Sequence, residues 1–103
     1  MFKINPDPTF RVSVALSVPG SDKPQTIAVD FKHLPKSALR DYFTSLDGKS
    51  DAEALGAIVT GWSGVDTDYS AEALATLLDN YPAAAGELFD AYRRELLDAS
   101  RKN

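Results

Sequence analysis

Hydrophobic and polar residues alternate strictly over residues 9–18. The apolar positions are Phe10, Val12, Val14, Leu16 and Val18, and the positions between them are Thr9, Arg11, Ser13, Ala15 and Ser17. A period of two is the signature of a half-buried antiparallel strand. Residues 25–32 repeat the alternation with Ile27, Val29 and Phe31, and a turn cluster rich in proline and glycine lies between the two runs. We therefore predict a β-hairpin over residues 9–32 after an extended lead-in, residues 1–8.

From Pro35 onward the apolar spacing becomes helical. Four segments carry stripes typical of amphipathic helices. The stripes are Leu39, Tyr42, Phe43 and Leu46; Leu55, Ile58, Val59 and Trp62; Leu74, Leu77, Leu78 and Tyr81; and Leu88, Phe89, Tyr92 and Leu96, with Ala85 one turn earlier. This reading ends the second helix at Gly61 or shortly after it.

Capping signals support these helix boundaries. Pro35 suits a first helical position and Gly48 a C-terminal cap. Ser50 and Glu53 have the spacing of a capping box, in which each side chain accepts a backbone N–H of the other residue. Ser70 is a predicted N-cap, and Pro82 is expected to begin the fourth helix.

The combined pattern predicts one α+β domain spanning residues 1–103. Its expected architecture is an N-terminal two-stranded antiparallel β-hairpin followed by four short α-helices (ββαααα). The helical part covers residues 35–98, and residues 99–103 form a polar tail. Two strands alone are marginal in water, so the helices are expected to cover the apolar face of the hairpin.

Charge and composition exclude several classes of function. The net charge is −4, and there is no cysteine to form disulfides, thiolate nucleophiles or cysteine metal sites. Residues 1–49 carry seven Lys or Arg and five Asp or Glu, a balance of +2, whereas residues 50–103 carry four and ten, a balance of −6. An acidic domain is repelled by phosphate backbones, so no nucleic-acid partner is expected. No apolar run has the length of a signal peptide or a membrane helix, so no membrane partner is expected either.

The residues that might carry chemistry have simpler explanations. His33 is the only histidine, and it has no partner set for zinc or a catalytic triad, so a solvated loop histidine is expected. Asp66 and Asp68 lack the ligand pattern of a calcium loop and are better explained by turns and helix capping. No nucleophile–base set or nucleotide-binding loop is present. We expect no enzyme, no cofactor and no metal.

The stretch from Gly61 to Ser70 joins two predicted helices and holds the only tryptophan. Trp62 continues an apolar stripe, which favours an anchor at the edge of the core. The alternative is an exposed aromatic anchor for a partner protein. If a protein-binding surface lies here, its candidate residues are Trp62, Val65 and Tyr69, together with Tyr81.

Several stretches resemble the tail assembly chaperones of long-tailed bacteriophages and prophages. The most specific are Gly-Trp-Ser-Gly-Val-Asp at residues 61–66 and Leu-Leu-Asp-Asn-Tyr-Pro at residues 77–82. The others are Met1-Phe2-Lys3-Ile4, Asn5-Pro6, Pro8-Thr9-Phe10 and Phe31-Lys32-His33. The resemblance covers nearly the whole chain, and the chain departs from the family at Leu34-Pro35, where the family has a polar helix entry.

The resemblance implies a non-enzymatic role in the cytoplasm of the bacterial host. Such a chaperone coats the tape measure protein, the helical ruler of tail length, and keeps it soluble until the tail tube polymerises around it. It is absent from the mature virion. A longer frameshifted product often recruits the tail tube protein.

Other readings of the chain stay open. The alternative functions are a small structural tail protein, such as a tube-end or connector subunit, and a small regulatory adaptor. An exposed sheet edge also makes a homo-oligomer an open expectation.

Overall fold

The computed structural model describes residues 1–97 and contains three strands and four helices in the order ββααβαα. The elements are β1 Thr9–Leu16, β2 Gln25–Lys32, α1 Lys36–Thr44, α2 Asp51–Gly56, β3 Val59–Ser63, α3 Ala71–Asn80 and α4 Ala84–Leu97. The predicted polar tail at residues 99–103 lies outside the described residues, as does residue 98. The fold is mixed α+β, as predicted from the two periodicities.

The predicted hairpin forms with an uninterrupted antiparallel register. Thr9 pairs with Lys32 and Leu16 with Gln25 at its two ends. The even-numbered residues of β1 face the core together with Ile27, Val29 and Phe31 of β2, and Val29 and Phe31 are fully buried. The alternation in sequence therefore reports a real difference in burial between the two faces.

The predicted two-stranded sheet is wrong, because a third strand pairs with β2 on the side away from β1. The sheet order is β1-β2-β3, and β3 is antiparallel to β2. Phe31 pairs with Val59 and Val29 pairs with Trp62, while the register shifts between Asp30 and Phe31. Val59 and Trp62 are three positions apart, whereas their partners Phe31 and Val29 are two positions apart. The shift is therefore a β-bulge that places both β3 residues on the core face.

That bulge explains why the sequence pattern was misread. Apolar residues three positions apart are typical of a helix. In a strand, residues three positions apart face the same side only when a bulge adds one residue between them. The bulged residue is Thr60, whose Oγ1 donates a hydrogen bond to the Asp30 carbonyl at 3.2 Å. Ile58, Val59 and Thr60 are three consecutive β-branched residues, which favour strand over helix. This local signal was present in the sequence and was outweighed by the periodicity.

The second helix is consequently much shorter than predicted. α2 ends at Gly56 after six residues. Its capping box is confirmed: the Glu53 N–H donates to Ser50 Oγ at 3.2 Å, and the Ser50 N–H donates to Glu53 Oε1 at 3.1 Å. The cap fixes where the helix begins. Leu55 near the end of α2 and Ile58 just before β3 are both buried, so the short connection between the two elements is anchored in the core.

Three other predicted boundaries shift by one to three residues. Pro35 is the N-cap of α1 and does not occupy its first turn. Gly48 is not the C-cap of α1, which is Ser45; with φ of 80° it lies in a following turn, where the Lys49 N–H donates to the Leu46 carbonyl. α4 begins at Ala84, two residues beyond Pro82.

The helices cover the core face of the sheet through a cluster of aromatic rings. The Tyr92 ring on α4 lies 5.1 Å from that of Phe31 and 6.0 Å from that of Phe10, and it meets the Tyr42 ring edge-on. Its hydroxyl donates to the Lys32 carbonyl at 2.9 Å. The Tyr42 hydroxyl of α1 donates to the Ala54 carbonyl at 2.6 Å. The two hydroxyls thus satisfy backbone acceptors at the edge of the core.

The opposite face of the sheet is polar. The Arg11 guanidinium makes two bonds to the Asp30 carboxylate, Nε to Oδ1 at 2.8 Å and Nη2 to Oδ2 at 3.0 Å. The hydrogen bond with Arg11 lowers the pKa of Asp30. Gly61 pairs with Asp30, and a Cβ at this glycine would stand 3.1 Å from Asp30 Oδ2. The glycine in β3 therefore leaves room for this ion pair.

We expect the folded state to lose stability between pH 10 and 12. Burial raises the pKa of Tyr42 and of Tyr92 to about 12, from about 10 when the chain is unfolded. A raised pKa means that the neutral phenol stabilises the fold below pH 10 and that this stabilisation is lost as the pH rises toward 12. Urea midpoints at pH 8, 10, 11 and 12 should fall, and Tyr92→Phe should flatten the fall. Titration of both phenols near pH 10 in the folded protein would contradict the expectation.

Candidate functional site

A surface groove runs between the end of the hairpin and α3. It consists of two clefts of about 350 and 320 Å³ that share four residues, Val65, Asp66, Leu77 and Tyr81. The first cleft is completed by Leu16, Val18, Gln25, Ile27 and Gly64, and the second by Trp62, Thr67, Ala73, Thr76 and Asn80. We call this surface the Val65 groove. Apolar residues predominate in the first cleft, whereas the second combines apolar and polar side chains, and both open to solvent.

The turn at Gly64 brings the loop after β3 into this position. Gly64 has φ of 83°, a conformation that glycine adopts without strain. A Cβ at Gly64 would lie 3.8 Å from the Ile27 Cα, so the turn passes close to the backbone of β2. The next residue, Val65, therefore stands between the strand ends and α3, at the centre of the groove.

Trp62 and Tyr69 hold the loop beside β3. The Trp62 indole N–H donates to the Thr67 carbonyl at 2.8 Å, and its ring meets the Tyr69 ring edge-on at 5.0 Å. The Tyr69 hydroxyl donates to the Val59 carbonyl at 3.0 Å, and burial raises the pKa of this phenol. Because these bonds join both ends of the loop to one strand, the groove wall is preformed.

α3 supplies the opposite wall. Ser70 caps the helix as predicted, accepting the Ala73 N–H at 3.0 Å. Ala73, Thr76, Leu77 and Asn80 line the groove at spacings of i, i+3, i+4 and i+7. Leu74 lies on the neighbouring face and is buried. One face of α3 thus packs in the core, and the neighbouring face lines the groove.

The predicted binding residues occupy different places around this groove. Val65 and Tyr81 line both clefts, and Trp62 lines one of them while remaining half-buried. Tyr69 is not part of the lining and packs behind Trp62 as a support. The structure thus brings Trp62, Val65 and Tyr81 to one surface, and whether a partner binds there stays a prediction.

Sequence reasoning missed the α3 wall and the strand ends. Leu77 had been assigned to the core stripe, and the small or polar residues Ala73, Thr76 and Asn80 give no apolar signal. Their spacing beside Leu77 was nevertheless readable as a second helix face. Leu16 and Ile27 were recognised as apolar strand residues, but only the fold brings the strand ends next to α3.

Of the two acidic loop residues, Asp66 forms a local hydrogen bond and Asp68 is exposed. Asp66 Oδ1 accepts a hydrogen bond from Thr67 Oγ1 at 3.1 Å, and Asp66 adds a negative charge to both clefts. Within residues 1–97, no cluster of three or more His, Cys, Asp or Glu residues is placed to hold a metal ion. Among the described helices, none has the length and apolar character needed to cross a membrane.

His33 differs from its predicted environment. It is half-buried, whereas a solvated loop position was expected. Its ring meets the Phe10 ring edge-on at 6.5 Å, and its backbone N–H donates to the Pro8 carbonyl at 2.9 Å. It also borders a wider cleft of about 650 Å³ between the lead-in and the end of α4. One wall of that cleft is formed by Met1 and Phe2, whose side chains are almost fully exposed.

Comparison with known proteins identifies the family. No curated protein and no solved structure shows significant similarity to the chain. A family model described as phage tail assembly chaperone matches residues 1–103. The match confirms the resemblance carried by the motifs at residues 61–66 and 77–82, and a chaperone family suggests a non-enzymatic role. The chain belongs to the phage tail assembly chaperone family.

Proposed function

We propose that this chaperone binds the tape measure protein of its phage in the host cytoplasm and keeps it soluble. It then helps the tail tube polymerise around the tape measure and leaves before the virion is complete. No catalysis is involved. A longer frameshifted form that recruits the tail tube protein belongs to the same proposal.

The observation that carries the proposal is the Val65 groove. It presents Val65, Leu77 and Tyr81 to solvent along a preformed channel between strands and a helix. A groove of this kind accepts the apolar face of an amphipathic helix, whose anchors recur at i, i+3 or i+4, and i+7. A long helical ruler offers such faces repeatedly, and they would aggregate if left uncovered.

The acidic residues around the groove indicate which charge the bound segment should carry. Asp66 lines both clefts and Asp68 is exposed in the same loop, while residues 50–103 carry a balance of −6. The preferred segment is therefore an apolar helical stripe flanked by Lys or Arg. Trp62, Val65 and Tyr81 contact it directly, and Tyr69 holds Trp62 in place.

Release follows from weak individual contacts. A groove this small buries little area, so each chaperone copy binds the ruler weakly. Many copies along one ruler still keep it covered, because binding is repeated along a single chain. Tail tube subunits that compete for the same apolar stripes displace the copies one at a time.

Co-expression with the tape measure protein of the same phage tests the proposal. We expect the two proteins to co-purify and the soluble fraction of the tape measure protein to rise several-fold. A chaperone-free expression and an unrelated acidic protein of similar size are the controls. A tape measure protein that stays insoluble with no complex formed would contradict the proposal. Stoichiometric amounts of this chain in purified virions would favour the structural tail protein instead.

A further inference from the structure

The outer edge of β1 carries backbone groups that the sheet leaves unpaired. The His33 N–H donates to the Pro8 carbonyl, so the hydrogen-bonded pairs of this ladder include Pro8 with His33 and every second pair after it. The N–H and C=O groups of Thr9, Arg11, Ser13 and Ala15 therefore point away from β2. β1 contains no proline and no bulge, the usual devices that block an open edge.

Some of the other edge groups are already bonded to side chains. At the far end of β1, the Ser17 N–H donates to both carboxylate oxygens of Glu87 at 3.1 Å. On β3, the Val59 carbonyl accepts a hydrogen bond from the Tyr69 hydroxyl. The Trp62 indole N–H donates to the Thr67 carbonyl in the loop that follows. Within residues 1–97, the longest continuous run of outward-facing edge groups is therefore residues 9–15 of β1.

α4 lies antiparallel to β1 and carries separated charges. Glu87 near its start binds Ser17, whereas Leu96 near its end borders the same cleft as Phe10. Asp90 and Glu87 lie in the first half of the helix, and Arg93 and Arg94 lie in the second, where Glu95 is the one acidic exception. Within one chain Asp90 pairs with Arg93, Oδ1 to Nη1 at 3.5 Å. A second α4 in antiparallel orientation would add the arginines of the other copy to this exposed pair. This arrangement of charge fits a second copy of the same chain.

We propose that two copies of the chain pair through β1 as antiparallel strands, with the two-fold axis at Val12. The two sheets then form one continuous six-stranded sheet with both helical layers on the same side. The partner is a second copy of this chain. The pairing uses residues 9–15 of β1, whereas the Val65 groove is formed by the turn end of the hairpin, the loop after β3 and α3.

The register follows from the residues at the edge. With the axis at Val12, Thr9 pairs with Ala15 and Arg11 with Ser13, so all four outward-facing residues of each copy form hydrogen bonds. An axis at Arg11 would set two arginines directly opposite each other, which is destabilising. An axis at Ser13 would pair Thr9 with Ser17, whose N–H is taken by Glu87.

Side-chain burial supports the same arrangement. Val12 and Phe10 on the core face of β1 are only half-buried, whereas their partners on β2, Val29 and Phe31, are fully buried. A second β1 would place Val12 against its own copy and Phe10 against Val14. The pairing therefore covers the part of the core face that one chain leaves open.

A cysteine at the axis tests the register, because the chain has no cysteine of its own. In a non-hydrogen-bonded pair the Cα atoms stand about 4.5 Å apart, within disulfide range. Val12→Cys should form a covalent dimer under mild oxidation. Thr26→Cys, an exposed position on the inner strand β2, should stay monomeric. The register would be overturned if Val12→Cys formed no more crosslinked dimer than Thr26→Cys. It would also be overturned if Ser13→Cys crosslinked and Val12→Cys did not.

The mass in solution tests the pairing itself. Wild-type protein should show twice the 11.2 kDa of one chain by light scattering. Ser13→Pro removes an outward N–H that faces away from β2 and has no acceptor within residues 1–97, and proline is tolerated at such an edge position. We expect this variant to weaken dimerisation at least about tenfold with an unchanged circular dichroism spectrum. A monomeric wild type at about 100 µM, or an equally dimeric Ser13→Pro, would overturn the proposal.

Discussion

Replacing Phe31 by alanine is expected to lower the free energy of unfolding by about 3–5 kcal/mol. Phe31 lies on the central strand and is 0% exposed. It pairs with Phe10 on one side and Val59 on the other, and its ring packs against that of Tyr92 at 5.1 Å. Removing the ring leaves a cavity between the three paired strands and Tyr92 of α4, and rigid strands close such a cavity poorly.

Phe2→Ala is the matched control for this substitution. The same side chain is removed, but Phe2 is 91% exposed in the lead-in. We expect the control to change stability by no more than about 0.5 kcal/mol. Urea denaturation followed by circular dichroism measures both. Equal losses in the two variants would mean that Phe31 is not the centre of the core.

Thr76→Arg is expected to weaken binding of the tape measure protein at least about tenfold. Thr76 is exposed on the groove face of α3, and its hydroxyl only bonds the Glu72 carbonyl of its own helix. An arginine there fills the channel beside Leu77 and repels the basic flanks proposed for the bound helix. A tenfold loss corresponds to about 1.4 kcal/mol, well within what one interface residue contributes.

Ala75→Arg is the matched control for binding. Ala75 is the neighbouring exposed residue, but it does not line the groove. The two variants carry the same added charge on the same helix, and arginine is a good helix former at either position. Ala75→Arg should therefore bind as the wild type does. A loss of equal size in both variants would assign the effect to net charge and exclude a role for the groove.

The sequence predicted the parts of the fold whose periodicity is unbroken. β1 and β2 follow a strict period of two over long runs, and their pairing needs only the turn between them. The capping residues Ser50 and Ser70 act on their own helices, so local chemistry was sufficient to place them. Each of these features depends on residues close in the chain.

The strand β3 was not predicted because its formation depends on residues distant in the chain. β3 exists because β2 offers a free edge, and its bulge at Thr60 gives Val59 and Trp62 the spacing of a helix. Periodicity alone does not distinguish a bulged strand from a short helix. The run of β-branched residues favoured the strand, but the pairing partner lies about thirty residues away.

In the candidate site, too, some residues were predictable from the sequence and others were not. Trp62, Val65 and Tyr81 stood out from sequence because they are apolar or aromatic residues in or near a glycine-containing loop. The α3 wall did not, since Thr76 and Asn80 resemble ordinary exposed helix residues. The groove arises only when the turn at Gly64 brings the loop against the strand ends, which is a property of the assembled fold.

Emission from Trp62 offers the most direct test of binding at the Val65 groove. Trp62 is the only tryptophan and lines the groove, so a tape measure segment free of tryptophan changes its environment on binding. We predict a saturable emission change in the wild type, the same curve for Ala75→Arg, and a midpoint at least about tenfold higher for Thr76→Arg. A complex that forms without any change in Trp62 emission, with both variants binding alike, would contradict the account.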